Sequence, residues 1–485
     1  MDTSSFYKAL SARDARFDGV FFVGVTTTGV YCRPICPART PGEDRCRYFL
    51  CSAAAESEGF RACFRCRPEL APGAAPMDAS HRLARVAVQR IEAGALDQQS
   101  VEELANELGI SGRQLRRVLQ DEVGSSPLDL ANHRRLLLSR HLLSASNLSI
   151  SQIAFASGFQ SIRRFNDAFS RRFGRAPSSM RRAHPATGNE ELACFSVSIP
   201  FRPPYAWKEL LGFLRGRAIP HVEHVDESSY SRTLRIGDHI GWLRVEAPRK
   251  AALPVTISAT LLPQLLQVLG RLRSLFDTDA HPSLIAEHLA NDELLGSLVR
   301  DLPGLRVPGT VDGFEMSCRA ILGQQISVKA ATTLSGRLAT LGPPIEGAPE
   351  PLARLFPTPH ELASQRVTIL TELGITEARA RALILLANAM ADGGLVLSPG
   401  ASETAARQSL ESIRGVGPWT SSYIALRALR WPDAFPAGDA VLKLITKTQS
   451  TRQLEEMSSR WSPWRSYAAL YLWQLATRAK EGIAQ

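Results

Sequence analysis

Residues 411–439 of the C-terminal half read ESIRGVGPWTSSYIALRALRWPDAFPAGD. Gly415 and Gly417 stand between two segments with helical periodicity, which predicts a tight turn that joins two helices. An acid, Asp439, follows the second helix and precedes Ala-Val-Leu-Lys. An aspartate at that place fits a helix N-cap as well as a catalytic carboxylate, and the local sequence leaves both interpretations open.

The composition predicts a soluble multidomain protein. The chain has 485 residues, of which 44% are hydrophobic and 21% charged, and that length suits about three domains. No uninterrupted apolar stretch reaches the ~18 residues of a membrane helix. The N-terminal segment MDTSSFYKALSARDARFDG also lacks the apolar run and cleavage site of a secretory signal. We therefore expect a cytoplasmic protein without a membrane span.

Charge and cysteine are both distributed unevenly. Residues 1–190 contain 26 Lys/Arg against 19 Asp/Glu, an excess of +7, whereas the remainder contains 31 against 28, an excess of +3. A basic excess near the N-terminus favours a polyanionic partner such as nucleic acid, although it is more often a solvated surface. Six of the eight cysteines lie between Cys32 and Cys66. In a reducing compartment this clustering favours metal binding over disulfides.

Two stretches without helical or strand periodicity divide the chain. The first is RPELAPGAAPMDAS at 67–80, and the second is AHPATGNEEL at 183–192, which precedes the alternating segment CFSVSIPF. After residue 280 the pattern is mostly helical, and a Pro/Gly-rich loop at 341–360 is predicted to be a surface connection. The predicted modules are residues 1–77, 80–183, 192–280 and 281–485.

The cysteines form a metal-binding pattern. The spacings are CxxxC followed by CxxC, made by Cys32, Cys36, Cys63 and Cys66. Two such loops can each present two thiolates to one tetrahedral zinc ion. Because zinc binds thiolate, the site would carry a formal charge of about −2 and would be nucleophilic. The spacing alone favours a purely structural zinc site. Cys46 and Cys51 lie outside the pattern and are interpreted as small core residues.

The residues around these cysteines, GVYCRPICPAR at 29–39 and GFRACFRCRP at 59–68, resemble the N-terminal domain of bacterial Ada proteins. The resemblance implies a small α/β zinc domain in which Cys32 takes a methyl group, irreversibly, from a DNA methylphosphotriester. It also implies that Arg39 and Arg61 touch the DNA backbone, although a loop arginine is by default only solvated. Methylation removes one negative charge from a surface that faces phosphates, so DNA binding should tighten.

Residues 100–121, SVEELANELGISGRQLRRVLQD, predict a helix-turn-helix unit that begins with a capping box at Ser100 and Glu103. The same plan recurs at 149–173, SISQIAFASGFQSIRRFNDAFSRRF, with a capping box at Ser149 and Gln152 and with Gly158 in the turn. Each unit is followed by a Gly-x-x-Pro tail, at 124–127 and 174–177. The segment therefore contains an internal repeat.

Two such units resemble the AraC-type DNA-binding domain, which implies an all-α domain over residues 80–183. In that family the later helix of each unit lies in the major groove. A generic helical bundle with basic faces is the alternative. The candidate DNA-binding residues are Gln114, Arg116 and Arg117 in the first unit, and Gln160, Arg163 and Arg164 in the second.

Residues 192–480 resemble AlkA, the 3-methyladenine glycosylase II family of helix-hairpin-helix base-excision enzymes. The resemblance rests on 411–439 and on FRPPYAWKELLGFL at 201–214, LPGLRVPGTVDGFEMSCRAILGQQIS at 302–327 and RWSPWRSYAALYLW at 460–473. It implies an α/β, TBP-like subdomain followed by an all-α domain. The hairpin amides at Gly415 and Gly417 would hold a DNA phosphate, and hairpin carbonyls in this class sometimes bind a monovalent cation.

Cleavage of an N-glycosidic bond passes through an oxocarbenium-like state, which a carboxylate near the anomeric carbon stabilises. The resemblance assigns this role to Asp439, which would also orient or deprotonate the attacking water. Cationic alkylated purines suit an electron-rich aromatic pocket, although aromatics at helical spacing usually form core. The implied pocket residues are Phe213, Trp419, Tyr423, Trp473 and Gln324.

Three further features of the sequence refine these predictions, and one of them, Gln325, departs from the AlkA pattern. Glycosylases that also cut the strand carry a lysine near the hairpin, and Trp419 stands there, which predicts a monofunctional enzyme. AlkA inserts an apolar wedge after Ile-Leu-Gly-Gln, whereas this chain has Gln325, so we expect base flipping with altered selectivity. Ada proteins usually continue into a domain that repairs methylated guanine and carries a Pro-Cys-His-Arg motif. Neither Cys194 nor Cys318 lies in such a motif, so direct repair of methylated guanine is not predicted.

We therefore predict a DNA alkylation repair enzyme with a built-in sensor and transcription activator. The expected partner is double-stranded DNA, both alkylated and promoter DNA. RNA polymerase is a candidate partner, and a monomer is the expected state. The alternative is a transcription regulator whose glycosylase half is only a DNA-holding scaffold.

Overall fold

The computed structural model describes residues 3–13, 17–18, 21–49, 51–70, 79–92, 94–146, 148–181, 193–398, 401 and 403–483. The predicted linker at 183–192, and most of the one at 67–80, lie outside these residues. The chain forms two compact units, one of residues 1–91 and 98–130 and the other of 92–97 and 131–485. Among the described helices, none combines the length and apolar character that crossing a membrane requires.

The N-terminal module is a small α/β fold around a four-stranded sheet. Its elements are α1 (Thr3–Ser11), β1 (Phe22–Val25), β2 (Val30–Cys32), β3 (Cys46–Phe49), α2 (Ser52–Ser57) and β4 (Arg61–Ala62). The strand order is β3-β1-β2-β4, and β2 runs parallel to β4. A Cβ at Gly24 in β1 would lie 2.8 Å from the Phe49 ring and 2.9 Å from the Phe60 ring, so the packing of this sheet face requires glycine.

Eight helices follow, and they confirm the predicted repeat. They are α3 (Ala79–Glu92), α4 (Ala95–Gln98), α5 (Val101–Glu107), α6 (Gly112–Val123), α7 (Pro127–Ala145), α8 (Ile150–Ala156), α9 (Ile162–Phe173) and α10 (Pro177–Met180). Both capping boxes are present, at the starts of α5 and α8. Helices α6 and α9 both end at a left-handed glycine, Gly124 (φ 72°) and Gly174 (φ 67°). The first helix-turn-helix belongs to the first compact unit and the second to the other.

The C-terminal half begins with a five-stranded antiparallel sheet in the order β5-β9-β8-β7-β6. Its elements are β5 (Cys194–Pro200), α11 (Trp207–Arg215), β6 (Glu223–Val225), β7 (Ser229–Ile236), β8 (His239–Glu246), β9 (Ala252–Ser258) and α12 (Leu265–Phe276). Strand β5 shows the alternating burial that its sequence predicts, with Phe195, Val197 and Ile199 facing the core.

A helical domain completes the fold and shares a continuous hydrophobic core with the sheet. Its helices are α13 (Pro282–Leu289), α14 (Gly296–Asp301), α15 (Gly313–Leu322), α16 (Val328–Ala339), α17 (Pro359–Ala363), α18 (Val367–Glu372), α19 (Glu377–Ala391), α20 (Glu403–Glu411), α21 (Pro418–Arg427), α22 (Ala440–Thr446), α23 (Thr451–Ser458) and α24 (Arg465–Ile483). The 341–360 loop is irregular as predicted, yet Leu352 and Leu355 within it are buried.

A buried charge network joins the sheet to α15. Arg232 in β7 donates to Glu315 at 2.6 Å, and Arg319 pairs with Glu315 at 2.5 Å and also with Glu223. Burial raises the pKa of Glu315, but Arg232 and Arg319 outweigh that effect and lower it to about 2. The network orients α15, whose C-terminal end leads directly to Gln324 and Gln325.

Candidate metal centre and glycosylase site

The four cysteine sulfurs of the predicted metal site converge. The Sγ atoms of Cys32, Cys36, Cys63 and Cys66 all lie within 4.8 Å of one another. A tetrahedral zinc ion with Zn–S bonds of about 2.3 Å would place its sulfurs roughly 3.8 Å apart. The donor set therefore fits one zinc ion, as predicted. Cys32 is the partly exposed residue of the four, and the other three residues are buried.

Strand pairing brings the two cysteine loops together. Cys32 ends β2, and Cys63 directly follows β4, which runs beside β2. The Cys63 amide donates to the Tyr31 carbonyl at 3.1 Å, and the Arg33 amide donates to the Cys66 sulfur at 3.4 Å. The Arg33 side chain is buried and ion-paired with Asp18, so the loop between Cys32 and Cys36 is held from both sides.

The sulfur cluster favours a bound cation electrostatically. Hydrogen bonding with Cys36, together with burial, raises the pKa of Cys32 far above that of an ordinary thiol. The same interaction lowers the pKa of Cys36. Four thiols at this separation therefore cannot all become thiolates without a positive counter-charge. A recess of about 430 Å³ opens beside Cys32, and its lining includes Arg39, Arg61 and the exposed ring of Phe64.

The structure corrects the interpretation of one further cysteine. Cys46 is partly buried and its thiol donates to the Gly42 carbonyl at 3.3 Å. Cys51 is exposed, so its prediction as a core residue is wrong. The reason is its position, because Cys51 is the N-cap of the surface helix α2.

The predicted DNA-contacting side chains of the two helix-turn-helix units are all exposed; they are Gln114, Arg116, Arg117, Gln160, Arg163 and Arg164. Arg116 pairs with Glu102 at 2.6 Å, an exposed ion pair that a phosphate can replace. Gln160 belongs to the second helix-turn-helix unit but lies just before α9. Ser161 is the N-cap of that helix, so Gln160 precedes it in the turn.

Asp439 lies at the start of α22 and has two sets of partners. Its Oδ1 accepts the amides of Val441 and Leu442 at 2.9 and 3.0 Å, which caps the helix. Its Oδ2 accepts the indole N–H of Trp419 at 3.0 Å, and Oδ1 also accepts that of Trp473 at 3.3 Å. The carboxylate therefore faces an aromatic cluster while it caps α22.

The cluster consists of three of the predicted pocket aromatics. Trp419 and Tyr423 stack with ring centroids 5.4 Å apart and an interplanar angle of 5°, and Trp473 meets Tyr423 edge-on at 6.0 Å. All three rings are partly exposed. Phe213, on α11, is buried and is joined to this group through Arg427, whose Cζ lies 4.9 Å from the Phe213 centroid and 5.7 Å from that of Tyr423.

The predicted tight turn between α20 and α21 is present. Gly415 has a φ of +99°, and Gly417 is the N-cap of α21. The Gln324 amide donates to the Gly415 carbonyl and to the Thr420 hydroxyl, both at 2.9 Å. These bonds use both hydrogens of the amide and tie the loop after α15 to the hairpin. The neighbouring Gln325 is exposed and has a φ of +56°, a left-handed conformation that is costly outside glycine.

Sequence reasoning missed two arginines at the site. Arg427 donates to the Tyr423 hydroxyl at 2.8 Å, and the Cζ of Arg217 lies 3.8 Å from the centre of the Phe213 ring. Each arginine follows its aromatic partner by four positions. For Tyr423 and Arg427, which both lie in α21, that spacing was the available signal, because residues four apart are neighbours on a helix. Arg217 lies just beyond the end of α11, where no such signal exists.

Comparison with known proteins agrees with this architecture. Residues 5–69 match the metal binding domain of Ada, 104–183 a helix-turn-helix domain, 196–312 the AlkA N-terminal domain and 318–459 the HhH-GPD superfamily of base excision DNA repair proteins. The fold and the sites thus define a DNA-binding protein that combines an Ada-type zinc module and a helix-turn-helix domain with an AlkA-type glycosylase fold.

Relatives extend the match to nearly the whole chain. A Mycobacterium tuberculosis protein described as a probable bifunctional transcriptional activator/DNA repair enzyme AlkA is 39% identical over 475 residues, covering 96% of this chain and 95% of that protein. The chain therefore belongs to the family of bifunctional transcriptional activator/DNA repair enzymes of the AlkA type. DNA-3-methyladenine glycosylase 2 of Escherichia coli is 37% identical over 278 residues, 57% of this chain and 96% of that enzyme.

Proposed function

We propose that the C-terminal half excises alkylated bases of the 3-methyladenine class and that the N-terminal half senses backbone methylation and activates transcription. The observation that carries this proposal is the position of Asp439, whose carboxylate is bonded to the indoles of Trp419 and Trp473 beside the helix-hairpin-helix turn. Incubation of the purified chain with alkylated duplex DNA, followed by quantification of free base, tests it directly.

In the glycosylase half, a flipped base enters the cluster of Trp419, Tyr423 and Trp473, with Phe213 at its buried side and Gln324 bracing the loop. The Asp439 carboxylate stabilises the positive charge that develops on the sugar and accepts a proton from the attacking water. The indole hydrogen bonds orient the carboxylate. No lysine stands at the position of Trp419, so the reaction ends at an abasic site.

In the zinc module, the Cys32 sulfur attacks the methyl carbon of a methylphosphotriester. A new S–C bond forms as the O–C bond breaks, and its electron pair leaves a phosphodiester anion. Zinc, when bound by the four cysteines, keeps their sulfurs deprotonated. Cys32 is the partly exposed member of the set, which supports its assignment as the acceptor. The product is a neutral thioether, so repulsion between the module and DNA phosphates falls.

DNA contacts follow from the exposed basic surfaces. Arg39 and Arg61 beside the sulfur cluster would contact the backbone. The two helix-turn-helix units would bind promoter DNA through their exposed side chains, which are Gln114, Arg116, Arg117, Gln160, Arg163 and Arg164. The hairpin amides around Gly415 and Gly417 would hold a phosphate, and Gln325 would fill the gap left by the flipped base. The modules are proposed as 1–77, 80–183, 192–280 and 281–485.

The hairpin is also proposed to bind a monovalent cation. The Ile413 carbonyl accepts the Val416 amide at 3.0 Å, and the Gly415 carbonyl accepts the Gln324 amide; each retains a lone pair for a monovalent cation. We also propose that the chain acts as a cytoplasmic monomer and contacts RNA polymerase when it activates a promoter.

The rival function is a regulator with a silent glycosylase scaffold. The hydrogen bonding of Asp439 to both indoles favours a working site, since capping α22 does not by itself require the carboxylate to face the aromatic cluster. The comparison of wild type with Asp439→Asn separates the two. Base release that depends on Asp439 supports the enzyme, whereas equal absence of release from both proteins supports the scaffold.

A further inference from the structure

The short loop between α15 and α16 holds its central residue in an unusual backbone conformation. Helix α15 ends at Leu322 and α16 begins at Val328, so the loop consists of residues 323–327. Gln325, at its middle, is exposed and has a φ of +56°. Outside glycine this left-handed backbone is disfavoured, and it persists only where surrounding contacts outweigh its cost. The conformation of Gln325 therefore depends on the residues that hold the loop.

Side-chain and main-chain contacts fix Gln324, the residue before Gln325. The Gln324 side-chain amide donates to the Gly415 carbonyl and to the Thr420 hydroxyl, both at 2.9 Å. The Arg379 guanidinium donates to the Gln324 main-chain carbonyl. That carbonyl and the Gln325 nitrogen belong to one planar peptide group, and φ of Gln325 is the rotation about the next bond along the chain. A fixed carbonyl therefore also fixes the plane from which the Gln325 side chain is directed.

Arg379 lies in α19, a helix that also packs against the hairpin turn. A Cβ at Gly415 would lie 3.2 Å from the Ala382 Cβ, so α19 approaches the turn closely at this point. The helix is itself anchored, because Ala380, Ala382 and Leu383 are buried in the core. Helix α19 therefore contacts both the hairpin turn and the loop that carries Gln325.

Arg379 differs from Arg381, which lies two positions further along the same helix. Arg381 is exposed and pairs with Glu377 at 2.5 Å. Arg379 is half-buried, and across the part of the chain that the structure describes its one hydrogen-bond partner is the Gln324 carbonyl. A hydrogen bond from a charged donor is stronger than one from a neutral donor. The charge of Arg379 is therefore directed at the main chain of the loop and not at an acid.

We propose that Arg379 is a positioning residue for base flipping. Through the Gln324 carbonyl it holds Gln325 in the left-handed conformation from which the Gln325 side chain enters the gap left by the flipped base. The inference rests on the proposed glycosylase function and on the role proposed there for Gln325. Because the loop is ordered before DNA binds, less ordering is needed when the base rotates out. Loss of the Arg379 contact should therefore weaken flipping and leave the chemistry at Asp439 unchanged.

The test compares single-turnover release of 7-methylguanine by the full chain from duplex DNA and from single-stranded DNA of the same sequence. Only the duplex leaves a gap in a base-paired stack when the base rotates out. We expect Arg379→Met, which keeps an unbranched side chain and removes the donors, to lower the ratio of duplex to single-strand release by about tenfold. Arg379→Lys, which keeps the charge, should restore part of the ratio. Arg381→Met is the matched control and should leave the ratio unchanged.

Coupling to Gln325 separates this role from an ordinary phosphate contact. If Arg379 acts through Gln325, Arg379→Met should lower the ratio no further in a Gln325→Ala background. A phosphate contact would instead weaken release in both backgrounds and from both substrates. An unchanged ratio in Arg379→Met, or an equal loss in both backgrounds, overturns the inference. If Arg379→Met does not fold, Arg379→Gln decides by the same two comparisons.

Flipping can also be followed without base release. The base analogue 2-aminopurine fluoresces more strongly when its stacking is disturbed, so a duplex that carries it beside 7-methylguanine should brighten as the lesion is flipped. At saturating protein, we expect a smaller rise with Arg379→Met than with wild type or Arg381→Met. An equal rise with all three proteins overturns the inference and leaves the proposed function intact. Wild type that releases 7-methylguanine from neither substrate overturns the proposed function itself.

Discussion

Asp439 accepts the indole hydrogen of Trp419 at 3.0 Å through one carboxylate oxygen, while the other oxygen caps α22. Of the two interpretations that the local sequence leaves open, the helix cap is therefore confirmed, and the catalytic carboxylate stays a prediction for an acid that also faces the aromatic cluster. The cap hydrogen bonds and the indole hydrogen bond together fix the carboxylate in one orientation. The same arrangement allows charge and capping to be separated by mutation.

Asp439→Asn should abolish base release without unfolding the protein. Asparagine caps helices about as well as aspartate, so thermal stability should change little. The negative charge is lost, and we expect release of 7-methylguanine to fall by at least about a hundredfold. Asp439→Ala should lose release and also about 1 kcal/mol of stability, because the cap disappears. Retained release by the Asn variant would show that Asp439 is only a cap.

Cys32 should be the residue that gains a methyl group from alkylated DNA. It is the partly exposed member of a sulfur cluster in which a bound metal would hold thiolates. Peptide mass spectrometry after incubation with methylated duplex should find the modification on Cys32. Cys51 is the internal control, because it is exposed and lies outside the cluster. Equal labelling of Cys51 would indicate ordinary thiol alkylation, and an unmodified Cys32 would indicate a purely structural site.

Zinc removal should affect the N-terminal module selectively. We expect one zinc per chain, and chelation should make residues 29–68 sensitive to protease because the two loops lose their common anchor. Cys66→Ser should have the same effect. Cys46→Ser is the matched control and should keep full zinc content, since the Cys46 thiol bonds to Gly42 instead. Loss of zinc from the Cys46 variant would contradict the four-sulfur assignment.

Gln325 should contribute to base release from duplex DNA through its place in the stack. Gln325→Gly relieves the left-handed backbone at φ +56°, so stability should be kept or slightly raised. Both Gln325→Gly and Gln325→Ala remove the side chain that fills the gap. Because flipping costs a few kcal/mol, we expect release from duplex to fall by about tenfold and release from single-stranded DNA to fall less. Unchanged release and DNA affinity would end the wedge assignment.

The buried network around Glu315 should make the catalytic half acid-sensitive. Burial raises the pKa of Glu315, and Arg232 and Arg319 lower it to about 2, below the roughly 4.3 of an unfolded glutamate. Its stabilisation is therefore complete above about pH 4.5 and is lost as the pH falls toward 2. Glu315→Gln should destabilise by about 3–5 kcal/mol at neutral pH, because the buried Arg232 and the largely buried Arg319 both lose a partner.

An exposed pair provides the control for that network. Glu377→Gln removes the partner of Arg381 on the surface of α19, where we expect a change below about 1 kcal/mol. Chemical denaturation of both variants measures the difference. Equal stability losses would show that the Glu315 network contributes no more than a surface ion pair.

Features whose causes are local could be predicted from the sequence. A capping box involves residues within four positions of each other, and a glycine that ends a helix acts through its own backbone conformation. The repeat at 100–173 could therefore be predicted in detail. The cysteine spacing and the turn at Gly415 are local in the same sense. Motif resemblance supplied the remaining assignments, including Asp439. The prediction of Cys51 as a core residue was wrong, because burial depends on what packs against a residue and not on its local sequence.

Which distant residues meet depends on how the helices and the sheet pack together. Phe213 and Tyr423 lie far apart in the chain, and Arg427 joins them only after α11 and α21 have packed together. The carbonyls of Pro308 and Gly309 hold that guanidinium, and nothing in their local sequence indicates it. Periodicity specifies which face of a helix is buried but not what it is buried against. The contacts of Arg427 with Phe213 and Tyr423 depend on the partner and not on the period.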